Sequence, residues 1–168
     1  MRPVAGLLLL SFVVLLLRST MLPMLSARGI VLDVLAIATV AWALRHGDAW
    51  GATFGFLLGL AADLDTAHWL GRHALALSLI GYAVGRLSNT FVRDSARTLL
   101  VLVAAATAVH QGWVSVFDLA EGTAGPMFLA ARMLVATIVS TVVGTLVLSV
   151  FHLLFGRRPS RHASRSSS

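Results

Sequence analysis

The sequence predicts an all-α integral membrane protein: a bundle of six transmembrane helices with both termini on the cytoplasmic side. Three observations predict it. Of the 168 residues, 58% are hydrophobic and only 12% charged, about half the charge fraction of an ordinary globular domain. The mean hydropathy is +0.88, and long apolar runs recur along the chain. Those runs are continuous and show no period-two alternation, which argues against a transmembrane barrel. In lipid only helices and closed barrels satisfy their own backbone, so helices remain.

Six spans are expected, in order. The first covers residues 4–22. It is read as a retained span, because no small-x-small cleavage pattern precedes Ala27. The second covers residues 29–44 and carries Asp33 near its start, where the helix dipole favours negative charge. The same carboxylate is also placed to reach another span or a partner. The third and fourth spans, residues 49–64 and 73–87, are 16 and 15 residues long. A full crossing takes about 20 residues. These two must therefore reach into the polar loop, thin the bilayer locally, or re-enter. The fifth span covers residues 96–117. The sixth covers residues 126–155 and is long enough to tilt. Residues 1–156 thus form one transmembrane domain. The remainder, residues 157–168, is rich in arginine and serine and too poor in apolar side chains to bury a core. It is expected to be a disordered basic tail against anionic cytoplasmic lipid.

Arginine placement sets the orientation. With both termini cytoplasmic, the inner side holds Arg2, Arg45, Arg86, Arg93, Arg97 and the four arginines of the tail. Only Arg18, Arg28, Arg72 and Arg132 fall outside. Trp42 and Trp50 flank an inner turn, and Trp69 and Trp113 sit near outer ends, as an aromatic belt requires. The net charge of +6 then belongs to topology and anionic lipid and calls for no nucleic acid. Cysteine is absent, which removes disulfides, thiol catalysis and cysteine-based zinc sites.

Residues 51–87 carry most of the motifs. Gly51, Gly55 and Gly59 form GxxxGxxxG, and Gly81 with Gly85 forms a second GxxxG. Small residues at this spacing let helix backbones approach closely in lipid. The glycine faces, with Phe56 and Tyr82 beside them, fit internal packing of spans three and four. They also fit a groove for a partner's helix. Between the spans lies a polar knot of Asp63, Asp65, His68, Arg72 and His73. Its carboxylate and imidazole spacings, two and five residues, do not place ligands on one helix face, so no metal is expected. The expected arrangement is a turn held by an ion pair between Asp63 and Arg72. Asp63 directly follows the glycine run, at a depth where an unpaired charge is costly. Asp33, His68, His73, His110 and Gln111 are candidates to line a small outward-facing cavity. Interhelical hydrogen bonding is the plainer reading of His110 and Gln111. No Ser-His-acid arrangement, Walker motif or dinucleotide fingerprint occurs, so neither an enzyme nor a cofactor is expected.

The run Gly55-Phe56-Leu57-Leu58-Gly59-Leu60-Ala61-Ala62-Asp63, then Leu70-Gly71-Arg72-His73-Ala74-Leu75, then Gly81-Tyr82-Ala83-Val84-Gly85-Arg86-Leu87 resembles the rod shape-determining MreD family. Asp33-Val34-Leu35 is similar to that family's Asp-Leu-Leu element, with Leu32 where a proline often stands. The resemblance implies a multi-pass protein of the bacterial cytoplasmic membrane and a non-enzymatic scaffold for cell-wall elongation. It implies direct binding of MreC, with RodA, a class B penicillin-binding protein, MreB and RodZ in the same machinery. The family fold is similar to the S components of energy-coupling-factor transporters. That keeps open a second reading, a membrane protein binding a vitamin or other small molecule for transport.

Overall fold

The computed structural model describes residues 2–26, 32–64, 70–88 and 96–155. Among them the chain forms six helices: α1 (Arg2–Ser26), α2 (Val34–His46), α3 (Asp48–Leu64), α4 (Arg72–Leu87), α5 (Ala96–Ala120) and α6 (Pro126–Phe155). Asp65, His68 and residues 156–168 lie outside the described residues, so the expectations for them rest on sequence alone. Two helices, Arg97–Ala120 and Pro126–Val150, are long and apolar enough by themselves to cross a bilayer. Shorter apolar stretches are Ala5–Thr20 within α1 and Val34–His46 in α2. The second helix differs most from expectation. It begins only after Asp33 and has 13 residues, because Asp33 acts as its N-cap.

Local chemistry sets the ends. The Asp33 carboxylate accepts from the Ala36 amide at 3.0 Å, the contact an N-cap aspartate makes to the third residue of a helix. Gly47 ends α2 with φ of 85°, a left-handed conformation that glycine adopts without steric cost. Asp48 then opens α3 and accepts from the Ala49 amide at 2.8 Å. Gly122, with φ of 67°, turns the chain between α5 and α6. Pro126 occupies the first position of α6, where its missing N–H costs nothing.

The centre of the bundle is the α3–α4 hairpin, with α2 packed across both helices. A methyl group built on Gly51 would fall 2.5 Å from the Gly81 carbonyl oxygen. The same group on Gly55, Gly59, Gly81 or Gly85 would collide with the backbone of the opposing helix, at Leu77, Ala74, Gly51 and Asp48 respectively. The two glycine faces therefore meet each other along the hairpin. Phe56 and Tyr82 point elsewhere and are exposed. Phe54, Leu58, Leu77 and Val40 fill the core behind the glycines, each fully buried. Trp42 stacks on Phe54 with ring centroids 5.0 Å apart. α5 packs on α4, α2 and α6, whereas α1 lies against α2 and α3. Helices α1 and α6 leave long apolar faces uncovered, including Leu8, Leu9, Phe12, Ile138, Val142 and Leu146.

Glycines with and without a close neighbour should respond differently to one methyl. Gly55→Ala forces backbone apart and is expected to cost at least about 1–3 kcal/mol, the usual range for overpacking. Gly112 has nothing nearer than the Met133 side chain at 3.7 Å, so Gly112→Ala should leave stability unchanged. Thermal unfolding of the purified variants checks this. Equal loss at both positions would mean the hairpin is not closely packed.

Candidate functional site: a buried carboxylate–imidazole network

Two carboxylates lie inside the bundle, Asp33 with 4% exposure and Asp63 with 0%. Each sits at the end of a short helix and each takes a histidine. Oδ2 of Asp33 is 2.6 Å from Nδ1 of His110 and accepts from the Gln111 amide at 3.1 Å. The backbone N–H of Asp33 donates to Oγ of Ser140 at 2.7 Å. One residue before α2 thereby joins α5 through His110 and Gln111, and α6 through Ser140. Oδ1 of Asp63 is 2.7 Å from Nδ1 of His73. The Asp63 carboxylate also accepts backbone N–H groups of Gly71, His73 and Ala74, at 3.0, 3.1 and 3.1 Å.

That second set of bonds explains how α4 begins. Gly71 stands at its N-cap with φ of 101° and no side chain to cap with. The first amides of a helix have no intrahelical partner. Asp63, from the end of α3, supplies the acceptors and places negative charge where the α4 dipole favours it. An ionised carboxylate only accepts, so Nδ1 is the donor of each histidine. The rings of His73 and His110 meet edge to face, with centroids 5.4 Å apart. The two acid–imidazole pairs therefore form one continuous buried cluster linking α2, α3, α4, α5 and α6.

A looser set of charges lies farther along α5. Arg72 approaches Asp118 at 3.5 Å and Arg132 approaches it at 3.4 Å. Both contacts are longer than the 2.7–2.9 Å of a strong charge-assisted bond. The Arg72 carbonyl accepts from the Trp113 indole at 3.0 Å, which fixes the start of α4 against α5.

The structure brings Asp33, His73, His110 and Gln111 together. It joins them to one another and buries Asp33, His73 and His110, with Gln111 partly buried. The expected Asp63–Arg72 pair is replaced. Arg72 turns to Asp118, because Asp63 points under the start of α4, where three amides and an imidazole occupy its oxygens. Tyr82 and Arg86 interact on the exposed side of α4, with Arg86 donating to the tyrosine hydroxyl at 3.0 Å. Sequence reasoning missed Ser140, Asp118, Trp113 and Arg132 as members of the site. Nothing distinguishes Ser140 from the other hydroxyls of an apolar helix. Asp118 and Arg132 are fourteen residues apart on either side of a turn, a pairing visible only once α5 and α6 are known to be antiparallel neighbours.

Chemically, the cluster satisfies helix ends. Ser140 is engaged with a backbone amide and meets neither imidazole. Among the described residues no three histidine or acidic side chains converge as a metal site needs.

These features define a class: an all-helical bundle, consistent with a helical membrane protein, whose two buried acids are used in joining its own helices. The family comes from comparison. The family model described as rod shape-determining protein MreD matches residues 2–157, and the chain belongs to that family. Comparison with curated proteins and with solved structures gives no match. Membership carries a role in determining rod shape.

The two arginine–aspartate arrangements lead to different mutational costs. Asp63→Ala strips a buried imidazole and three amides of their acceptor and should cost about 3–5 kcal/mol, as breaking a buried pair does. Arg72→Met keeps the aliphatic stem and loses only a partly exposed pair, so about 1 kcal/mol or less is expected. Denaturant unfolding of the two variants measures the ranking. The reverse order would show that Arg72 holds Asp63 after all.

Proposed function

We propose that all six helices cross the bacterial cytoplasmic membrane, with both termini on the cytoplasmic side, and that the chain is a non-enzymatic scaffold of the wall-elongation machinery. Its direct partner in this reading is MreC, with RodA, a class B penicillin-binding protein, MreB and RodZ in the same assembly. The family match over residues 2–157 carries the reading. Two features of the bundle support it. The buried acids and imidazoles are bonded to one another, which suits a rigid support better than a ligand pocket. The large side chains left uncovered on α1 and α6 are apolar, and in a bilayer such faces meet lipid or another helix.

The glycine faces of α3 and α4 are engaged with each other, so MreC would meet the outer surface of the bundle. Bulky substitutions within the hairpin then act on MreC indirectly, through the fold. Affinity purification from membranes tests the proposal: MreC should co-purify with the wild-type chain. Gly59→Leu should lose MreC together with the folded protein and fail to support rod shape. Retention of a vitamin without MreC would instead favour the S-component reading. Wild-type MreC binding and rod shape in Gly59→Leu would show that the hairpin is dispensable.

A further inference from the structure

The heights at which the helices end differ between the two sides of the bundle. The contacts of the buried cluster set the register. His73 on α4 packs against His110 on α5, so these two residues lie level. From there inward the helices match. Arg86 is thirteen residues beyond His73, and Arg97 is thirteen residues before His110. The charged inner ends of α4 and α5 are therefore flush. α3 is flush with them, because Gly85 lies against the backbone of Asp48.

Outward the helices part company. α4 starts at Arg72, one residue from the His73 level, and α3 ends at Leu64, one residue past Asp63. α5 runs on from His110 to Asp118 and Ala120. α6 does the same. Ser140 is level with Asp33 through their hydrogen bond, and Arg132, eight residues farther out, pairs with Asp118. Eight residues also separate His110 from Asp118, so the two helices rise together. At about 1.5 Å per residue they extend roughly 12 Å beyond the level of His110. The extension is apolar and uncovered at Val116, Leu119, Phe128 and Leu134.

The same count gives apolar lengths. Along the backbone, Arg97 to Asp118 on α5 spans about 31 Å, near the 30 Å hydrocarbon thickness of a bilayer, whereas Arg72 to Arg86 on α4 spans about 21 Å, and the Arg72 side chain reaches outward to meet Asp118. The outward sides of α3 and α4 are apolar at Phe56, Leu57, Leu75 and Leu79, and Tyr82 and Arg86 mark their inner edge. At the outer edge the backbone leaves the helix at Leu70 and Gly71. Non-helical backbone does not face hydrocarbon. The bilayer cannot keep one thickness on both sides.

We propose that the outer leaflet steps down by about two helical turns beside α3 and α4, so that this flank is covered by locally thinned lipid while α5 and α6 meet a bilayer of ordinary thickness. The inference rests on the proposed transmembrane arrangement. The occupant of the α3–α4 flank is lipid, and the shortfall lies wholly in the outer leaflet because the inner ends are level.

The absence of cysteine makes the test direct. Leu75→Cys on α4 and Val109→Cys on α5 replace exposed side chains at nearly the same height in the protein. Each is spin-labelled and reconstituted alone in dioleoylphosphatidylcholine vesicles. Power saturation with oxygen and a water-soluble nickel chelate then gives immersion depth. Leu75 lies three residues from Arg72 and Val109 nine from Asp118, so the label at 109 should read deeper by about 9 Å. Equal, deep readings would mean the hairpin end is sunk in hydrocarbon. Equal, shallow readings would mean α5 and α6 protrude into water. Either overturns the step while leaving the transmembrane reading intact. Failure of both labels to enter the bilayer overturns the transmembrane reading itself.

Discussion

Two buried carboxylates hold this bundle together. Asp33 and Asp63 each close the exposed end of a helix too short to stand alone, and each reaches a histidine on a neighbouring element. The physical need is the same in both places. A helix start leaves amide groups without partners, and in a dry interior an unmet amide is expensive. Asp33 meets that need for α2 from the residue just before it. For α4 the residue at the cap is Gly71, so the acceptor comes from Asp63 on the previous helix. The α3–α4 hairpin is consequently closed twice, by glycine backbones along its length and by a carboxylate at its end.

The glycines and the acids depend on one another. Close approach of α3 and α4 brings Asp63 under the first turn of α4. The Asp63 bonds in turn fix the register in which Gly51 faces Gly81 and Gly85 faces Asp48. The edge contact of His73 on His110 carries that register to α5, and Ser140 carries it to α6. An unpaired member of a buried polar network is costly; the two acids and the helix-end amides meet that need in one cluster, while Nε2 of His110 is buried without a hydrogen-bond partner among the described residues. The arginine pair on Asp118 lies outside that cluster and is partly open to its surroundings. It tunes the meeting of α4, α5 and α6 but does not create it.

Much of this was legible in the sequence. Glycines four residues apart in two adjacent apolar runs announced the hairpin and its packing face, since lipid-phase helices associate through small residues. Asp33, His73, His110 and Gln111 stood out because polar side chains in apolar helices are costly. The motif resemblance and the family match agree. Two things were not legible. The partner of Asp63 was expected to be Arg72, the nearest opposite charge along the chain. In the folded protein helix-end amides and an imidazole win, because the carboxylate points inward and the arginine outward. The start of α2 was also placed too early. Residues 29–32 are as apolar in sequence as residues 34–38, so the apolar run continues across Asp33; the sequence pattern puts the acid near the helix start but not as its cap. Ser140 and the Asp118 pairings required knowledge of which helices are neighbours, which periodicity does not supply.

At the heart of the bundle, Asp33 and His110 act as a unit joining α2 to α5. A double-mutant cycle on Asp33→Asn and His110→Ala, with unfolding free energies measured in lipid bicelles, tests this most directly. A coupling energy of about 2 kcal/mol or more is expected, in the upper part of the range for residues in one network. Additive losses, within about 0.5 kcal/mol, would contradict it.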